Sequence, residues 1–301
     1  MATAHIPLSG VLLPSVTVVV PTCGRPALLQ RCLDALARQT LDPCRMEVIV
    51  VDDSRARRGP AAARNDGWRK ARAPIVAFTD DDTEPAPDWL EKGLAALGEE
   101  VDAVSGRIAL PAQEARLDRE RGEFPAANCF CRKDLLEEIG GFDEEFRLPG
   151  REGPDLEFRL MQAGARILHE PRAIVVRPPR PAPWVASLRR QRKVMFDALL
   201  YKKHRKLYRE RIVPGARWEY HAIVAALAAS LVSAALGAHA LAFLLAVVWL
   251  GFTATLCIHR LRGTSRAPLS VLEVLATAVA LPPLTVFWRL VGALRFRVAF
   301  V

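Results

Sequence analysis

Residues 75–82 read Ile75-Val76-Ala77-Phe78-Thr79-Asp80-Asp81-Asp82, an apolar run that ends abruptly in three carboxylates. A short continuous apolar run is the pattern of a strand buried on both faces. Three adjacent acids at the point where a chain leaves a sheet repel one another unless a cation shares the site. Hard divalent ions take carboxylate oxygens, and Mg²⁺ characteristically bridges protein acids to a substrate's phosphates. An isolated acidic trio is more often a solvated turn, so its neighbours decide its meaning.

Two further strands are expected upstream. Val16–Val20 (VTVVV) leads into the turn-rich Pro21-Thr22-Cys23-Gly24-Arg25-Pro26, after which Leu28, Leu29, Cys32, Leu33 and Leu36 recur at helical spacing. Glu47–Val51 (EVIVV) breaks at Asp52-Asp53-Ser54, and the small-residue segment Gly59–Asn65 opens a helix with Pro60 where proline is tolerated. Downstream, the pattern predicts a helix over Pro87–Leu97, strands over Ala103–Arg107 and Ala126–Cys131, and a helix over Lys133–Ile139. An amphipathic helix follows over Asp155–Ala163, with Asp155 as its cap. Alternating strands and helices predict a doubly wound, mixed α/β sheet with right-handed crossovers, followed by a helical membrane region. Ligands of such sheets bind beyond the carboxyl ends of the strands. Three predicted strands end in polar chemistry there: Pro21-Thr22, Asp52-Asp53 and Asp80-Asp81-Asp82. That convergence carries more weight than any one turn.

The 301 residues hold 42 Lys+Arg against 33 Asp+Glu, a net +9. Residues 177–217 contain 13 basic and two acidic side chains, a balance of +11, so the rest of the chain is close to neutral. Nucleic-acid binding would suit such a charge belt, but residues 222–258 run 37 positions without Asp, Glu, Lys or Arg. As one helix this run would be about 55 Å long, against a hydrocarbon core of about 30 Å. A hairpin of two spans, about 220–237 and 240–258, fits better, and no nucleic-acid partner is expected. The basic flanks on both sides of this hairpin place its ends in the cytoplasm. A third apolar segment, 267–288, is interrupted by Glu273 and Pro282-Pro283. A crossing there would leave Arg289, Arg295 and Arg297 outside, so a re-entrant or interfacial placement is favoured, with a true span as the alternative. Residues 181–217, with a basic amphipathic helix over Val185–Tyr208, are expected to lie on membrane lipids. The N-terminus lacks the basic region of a secretory signal. The six cysteines show no CxxC pairing, as expected of reduced thiols in a cytoplasmic domain. The domain plan is thus an extension over 1–13, an α/β domain over 14–180, the interfacial stretch 181–217 and a membrane region over 218–301.

Over roughly residues 14–210 the chain resembles the family 2 inverting glycosyltransferases of GT-A fold. The matching pieces are VTVVVPTCGRPALLQRCLDAL, MEVIVVDDS, GPAAARNDGWRKARAPIVAFTDDDTEPAPDWL, NCFCRKDLLEEIGGFDE and GREGPDLEFRLMQAG. The resemblance implies that Pro21, Thr22 and Arg25 line a nucleotide pocket and that Asp53 hydrogen-bonds the base. It also implies that Arg64, Asn65 and Asp81 lie beside the nucleotide sugar. Asp80 and Asp82 correspond to the DxD motif, with Asp82 the direct ligand of Mg²⁺ or Mn²⁺ and Asp80 nearer the ribose.

In the family the general base is the Asp of a Glu-Asp pair before a helix reading Asp-Leu-x-x-Arg-Leu. Here the segment is Arg151-Glu152-Gly153-Pro154-Asp155-Leu156, so that position is Gly153. Glu152 is the expected base, with Asp155 in reserve. The implied partners are a nucleotide-diphosphate sugar and a lipid-linked or glycan acceptor of the cell envelope, met at the inner or plasma membrane. A second reading is transfer onto polyprenyl phosphate, whose ionised acceptor lessens the need for a base. A third is a non-catalytic nucleotide-sugar-binding membrane protein.

Overall fold

The computed structural model describes residues 13–109, 124–178, 188, 191–212, 218–261 and 268–300. The chain separates into two compact units, Met1–Leu110 with Phe124–Pro178, and Pro111–Glu123 with Pro179–Val301.

The first unit is a mixed α/β domain. Its strands are β1 (Val16–Thr22), β2 (Met46–Asp52), β3 (Ile75–Thr79), β4 (Glu84–Pro85), β5 (Ala103–Ala109), β6 (Asn128–Arg132) and β7 (Ile167–Val176). They form one sheet in the order β2-β1-β3-β6-β5-β7-β4. β1 runs parallel to β2 and β3, whereas β6 is antiparallel to β3 and β5. The helices are α1 (Pro26–Ala37), α2 (Pro60–Trp68), α3 (Trp89–Ala96), α4 (Lys133–Ile139) and α5 (Glu152–Gln162).

Every residue of β1 is buried, which explains its lack of alternation: both faces of the sheet are covered. The period of two still sorts side chains between the faces. Val19, Val76 and Phe78 pack with Trp68, Leu136, Phe142 and Leu156 on one side. Val18, Val20 and Ala77 pack with Cys32, Leu36, Trp89 and Leu90 on the other. All six cysteines are free thiols.

The parallel strands position the site. Register sets Thr22 opposite Asp52 and Val19 opposite Phe78, so β1, β2 and β3 deliver their carboxyl ends to the same edge. α5 begins earlier than the amphipathic pattern implied, at Glu152 instead of Asp155. Asp155 is therefore inside the first turn and not a cap; it is fully buried and accepts from Arg159 Nε at 2.8 Å.

The second unit is helical. α6 (Met195–Lys203) is followed by α7 (Trp218–Ala235), α8 (His239–Leu261) and α9 (Pro268–Phe296). α7 and α8 form an antiparallel hairpin through Gly237, whose φ of +78° is the left-handed conformation glycine adopts freely. Ser230 Oγ donates to Ala242 O at 2.8 Å and ties the two helices together. Among the described residues, three helices are long and apolar enough to cross a membrane: Trp218–Ala235, His239–Leu261 and Val271–Phe296. Leu231, Leu236, Phe243, Leu244, Leu272 and Leu290 stand exposed on them, as a lipid-facing surface requires.

α9 runs through Pro282 and Pro283 as one helix. Apolar helices tolerate proline where neighbouring groups satisfy the freed carbonyls. One expectation changes here: the described residues within 185–208 do not form one continuous helix. Residues 185–187, 189 and 190 lie outside the described residues, and α6 ends at His204, whose φ of −134° and ψ of 53° are not helical. Met195–Tyr201 are all buried and pack against α9, so these apolar side chains face protein.

Candidate active site

Thr22, at the end of β1, donates its hydroxyl to Asp81 Oδ2 at 2.6 Å, across the gap between β1 and β3. Arg25 reaches the same carboxylate with Nε at 3.0 Å and closes a second bond through Nη2. Asp81 is fully buried, so these contacts make it a post that locks the β1 and β3 tips together.

The β2 tip joins through the main chain: Asp53 N donates to Thr22 O at 2.9 Å. The Asp53 carboxylate accepts from Arg58 N at 3.0 Å and Gly59 N at 2.7 Å, fixing the loop that opens α2. Pro21 is buried within β1, opposite Val51. The three tips that the sequence singled out are thus one connected structure.

The other two acids face a set of arginines. Arg64, 2% exposed, donates from Nη2 to Asp80 Oδ1 at 2.6 Å and from Nη1 to Glu152 Oε1 at 3.1 Å. Its guanidinium also lies 5.4 Å from the centre of the Phe142 ring. Glu152, 3% exposed, accepts from Gly150 N at 2.5 Å through its other oxygen. Arg177, just past β7, lies 3.5 Å from Asp80 Oδ2 and 3.5 Å from Asp82 Oδ1. Arg25 Nη1 approaches Asp82 Oδ2 at 3.6 Å.

Burial alone would raise the Asp80 carboxyl's pKa, but the charges of Arg64 and Arg177 and the Arg64 hydrogen bond outweigh it, and the net direction is downward. Desolvation likewise opposes the charged form of Arg64, yet Asp80 and Glu152 leave its pKa raised. The same acids act at a distance. Cys32 beneath them is pushed up to about 12, by burial first and then by Asp81, Asp80 and Glu84.

Sequence pattern alone does not mark Arg177 as a site residue. In the sequence it merges with the basic stretch that starts there; its one signal is that it closes the β-branched end of a strand. Asn65 goes the other way. Its carboxamide accepts from Trp68 Nε1 and Phe142 N, each at 2.8 Å, and donates to Phe142 O at 2.8 Å and Glu144 Oε1 at 2.9 Å. With its hydrogen-bonding positions taken, Asn65 braces the Gly140–Phe142 turn, while the adjacent Arg64 reaches Asp80 and Glu152.

Asp80 and Asp82 present two hard oxygens to one shared cationic position, now held by the Arg177 guanidinium. That donor set fits a divalent ion of the Mg²⁺ or Mn²⁺ kind, which takes one or two carboxylates and fills its remaining positions with water and phosphate. Among the described residues no group of three or more His, Cys, Asp or Glu forms a closed metal cage. At Gly153 an added Cβ would stand 2.5 Å from Phe124 O and 3.0 Å from Ala126 N. The backbone of residues 124–126 fills the space that a side chain would need.

The sequence model of the family described as Glycosyl transferase family 2 matches residues 17–56 and 54–156. A pre-mycofactocin glycosyltransferase of Mycobacterium tuberculosis is 31% identical over 56% of this chain and 44% of its own length. Glycosyltransferase AglE of Haloferax volcanii is 27% identical over 43% of this chain and 56% of its own. The chain thus spans about half the length of these relatives. Among solved structures, the mannosyltransferase PcManGT from Pyrobaculum calidifontis, in complex with GDP-Man and Mn²⁺, superposes with a TM-score of 0.55 at 20% identity. That match covers 94% of this chain and 87% of the other, and it speaks to fold.

Proposed function

Residues 17–156 belong to glycosyl transferase family 2, and from that premise we propose that this protein is a membrane-anchored, inverting glycosyltransferase. It takes a sugar from a nucleotide-diphosphate donor and passes it to a lipid-linked or envelope glycan. The observation that carries the reading is the joining of the three strand tips, with Asp80 and Asp82 turned toward a single cationic position.

In this reading the β1–β2 cleft at Thr22 and Asp53 takes the nucleoside, leaving the diphosphate over Asp80 and Asp82. A bound Mg²⁺ or Mn²⁺ there would supply Lewis-acid stabilisation of the departing diphosphate. Arg25 and Arg177 border the same acids and add positive charge where the leaving oxygens become negative. Glu152 takes the proton of the acceptor hydroxyl as that oxygen bonds the anomeric carbon from the face opposite the breaking bond. Arg64 holds Glu152 and Asp80 in a fixed relation, 3.1 Å from one and 2.6 Å from the other.

The closure of position 153 supports transfer onto polyprenyl phosphate as a second reading, because an acceptor that is already ionised has no proton to lose. The α7–α8 hairpin and its basic flanks support attachment to the inner or plasma membrane with the catalytic unit in the cytoplasm.

A screen of the purified protein against UDP-, GDP- and dTDP-sugars, with and without Mn²⁺, is expected to give a thermal shift for one donor class only. Glu152→Gln is expected to keep that shift while lowering transfer to an alcohol acceptor by about 10²–10⁴-fold, the usual contribution of a general base. Unchanged transfer to an alcohol acceptor removes Glu152 from the role. Transfer to polyprenyl phosphate that survives Glu152→Gln selects the second reading.

A further inference from the structure

The second unit holds a cationic cluster that the transfer chemistry does not use. Tyr201, Tyr208 and Phe300 form a closed aromatic triad, with ring centres 5.6, 5.2 and 5.6 Å apart. All three rings are buried. Three guanidiniums surround them. Arg205 Nε and Arg209 Nη2 both donate to Tyr201 Oη at 2.7 Å, and both lie over the Tyr201 ring. Arg289, from α9, lies 4.6 Å from the centre of the Phe300 ring. It is only 6% exposed, and its Nε is buried with no hydrogen-bond partner.

Among the described residues, none of these three arginines lies within ion-pair distance of a carboxylate. Three like charges at one aromatic cluster repel, and a buried guanidinium without an anion is costly. For the buried Arg289 a ring face returns less than desolvation takes away. Two guanidiniums meeting at one oxygen is also the arrangement that holds an oxyanion. Chemistry and surroundings specify the missing group. It is anionic and oxygen-rich, and it belongs next to helices whose outer faces expose leucine and phenylalanine.

We propose that Arg205, Arg209 and Arg289, gathered on the Tyr201–Tyr208–Phe300 triad, form a binding site for a phosphate group, carried as the headgroup of a membrane lipid. Tyr201 Oη, which accepts from two arginines, keeps its own proton to donate to the phosphate. The site stands independently of the transfer reaction, since all of its residues lie in the second unit.

The test is titration of the full-length protein in neutral detergent with short-chain phosphatidic acid, phosphatidylglycerol, phosphatidylcholine and inorganic phosphate, read by native mass spectrometry. Phosphatidic acid is expected to bind about tenfold or more tightly than phosphatidylcholine, as a charge-assisted bidentate contact predicts. Arg205→Gln combined with Arg209→Gln is expected to erase that preference, as is Arg289→Gln alone. Lys202→Gln, an exposed neighbour, should leave it within about twofold. The double variant alters exposed side chains, so it keeps the test valid should the buried Arg289→Gln fail to fold. Competition by inorganic phosphate at the same concentrations supports the site with a soluble phosphate as its occupant. Equal binding of all three lipids, or full preference in the double variant, overturns the proposal. Donor thermal shifts measured on the same variants keep this outcome separate from that of the transfer reading.

Discussion

At Gly153 the chain has no room for a side chain, because Phe124 O lies 2.5 Å from where a Cβ would stand. Gly153→Asp, which rewrites the segment as the family's Glu-Asp pair, is therefore expected to lower stability without raising transfer. Overpacking of this kind costs about 1–3 kcal/mol, and melting curves beside turnover assays check both halves. Asn65→Ala tests the turn it braces. It strands Trp68 Nε1 and the Phe142 main-chain groups, at about 1–3 kcal/mol for each buried group left unpaired. Glu170 gives a pH handle. Its carboxyl is drawn down from 4.5 to about 2, chiefly by side-chain and backbone hydrogen bonds from Arg172. A depressed acid stabilises the fold above its unfolded value and loses that contribution as pH falls through the folded one. Glu170→Gln should therefore lower stability near neutrality and flatten part of the loss between about pH 4.5 and 2, with the two proteins converging below that range, as acid unfolding followed by circular dichroism would register.

Among the elements, β1 to β3 and the helices between them were legible because local pattern and tertiary demand agree. VTVVV is apolar throughout and buried throughout, and Cys32 and Leu36 of the helical repeat are fully covered in the core. The chemistry at the strand ends was legible as residue types but not as contacts. Nothing local in Asp80-Asp81-Asp82 distinguishes the middle acid, which folds inward to Thr22 and Arg25, from its neighbours, which face Arg177. The described residues within 185–208 do not form one helix for a similar reason. Its basic amphipathic pattern is continuous, yet Tyr201 and Tyr208 meet each other and Phe300 across the break at His204. Contacts of that span have no sequence periodicity. The clamp itself is testable at this scale. Asp81→Asn is expected to cost about 1–2 kcal/mol, since Arg25 is partly exposed and can turn to water. It should weaken donor binding by loosening the β1 tip against β3, a change that donor titration followed by tryptophan fluorescence would detect.

At the scale of the whole molecule, the apolar helices α7, α8 and α9 predict that the protein stays in the membrane fraction after alkaline carbonate extraction. A cysteine placed at His239, in the α7–α8 turn, should react with an impermeant maleimide in intact cells. The exposed Cys23 of the α/β unit should react only once the cells are opened. Reaction of Cys23 in intact cells would reverse the orientation proposed above. The bridge that Arg177 makes between Asp80 and Asp82 bears on the order in which ligands arrive. A bare metal ion approaching these acids must first evict a guanidinium, whereas a nucleotide sugar brings an anionic chain to which that guanidinium can transfer. The resting protein should thus ignore stray divalent ions and admit one chiefly as a passenger already chelated by its donor. Manganese electron paramagnetic resonance would report this as weak uptake by the protein alone and as tighter donor-free uptake in Arg177→Gln.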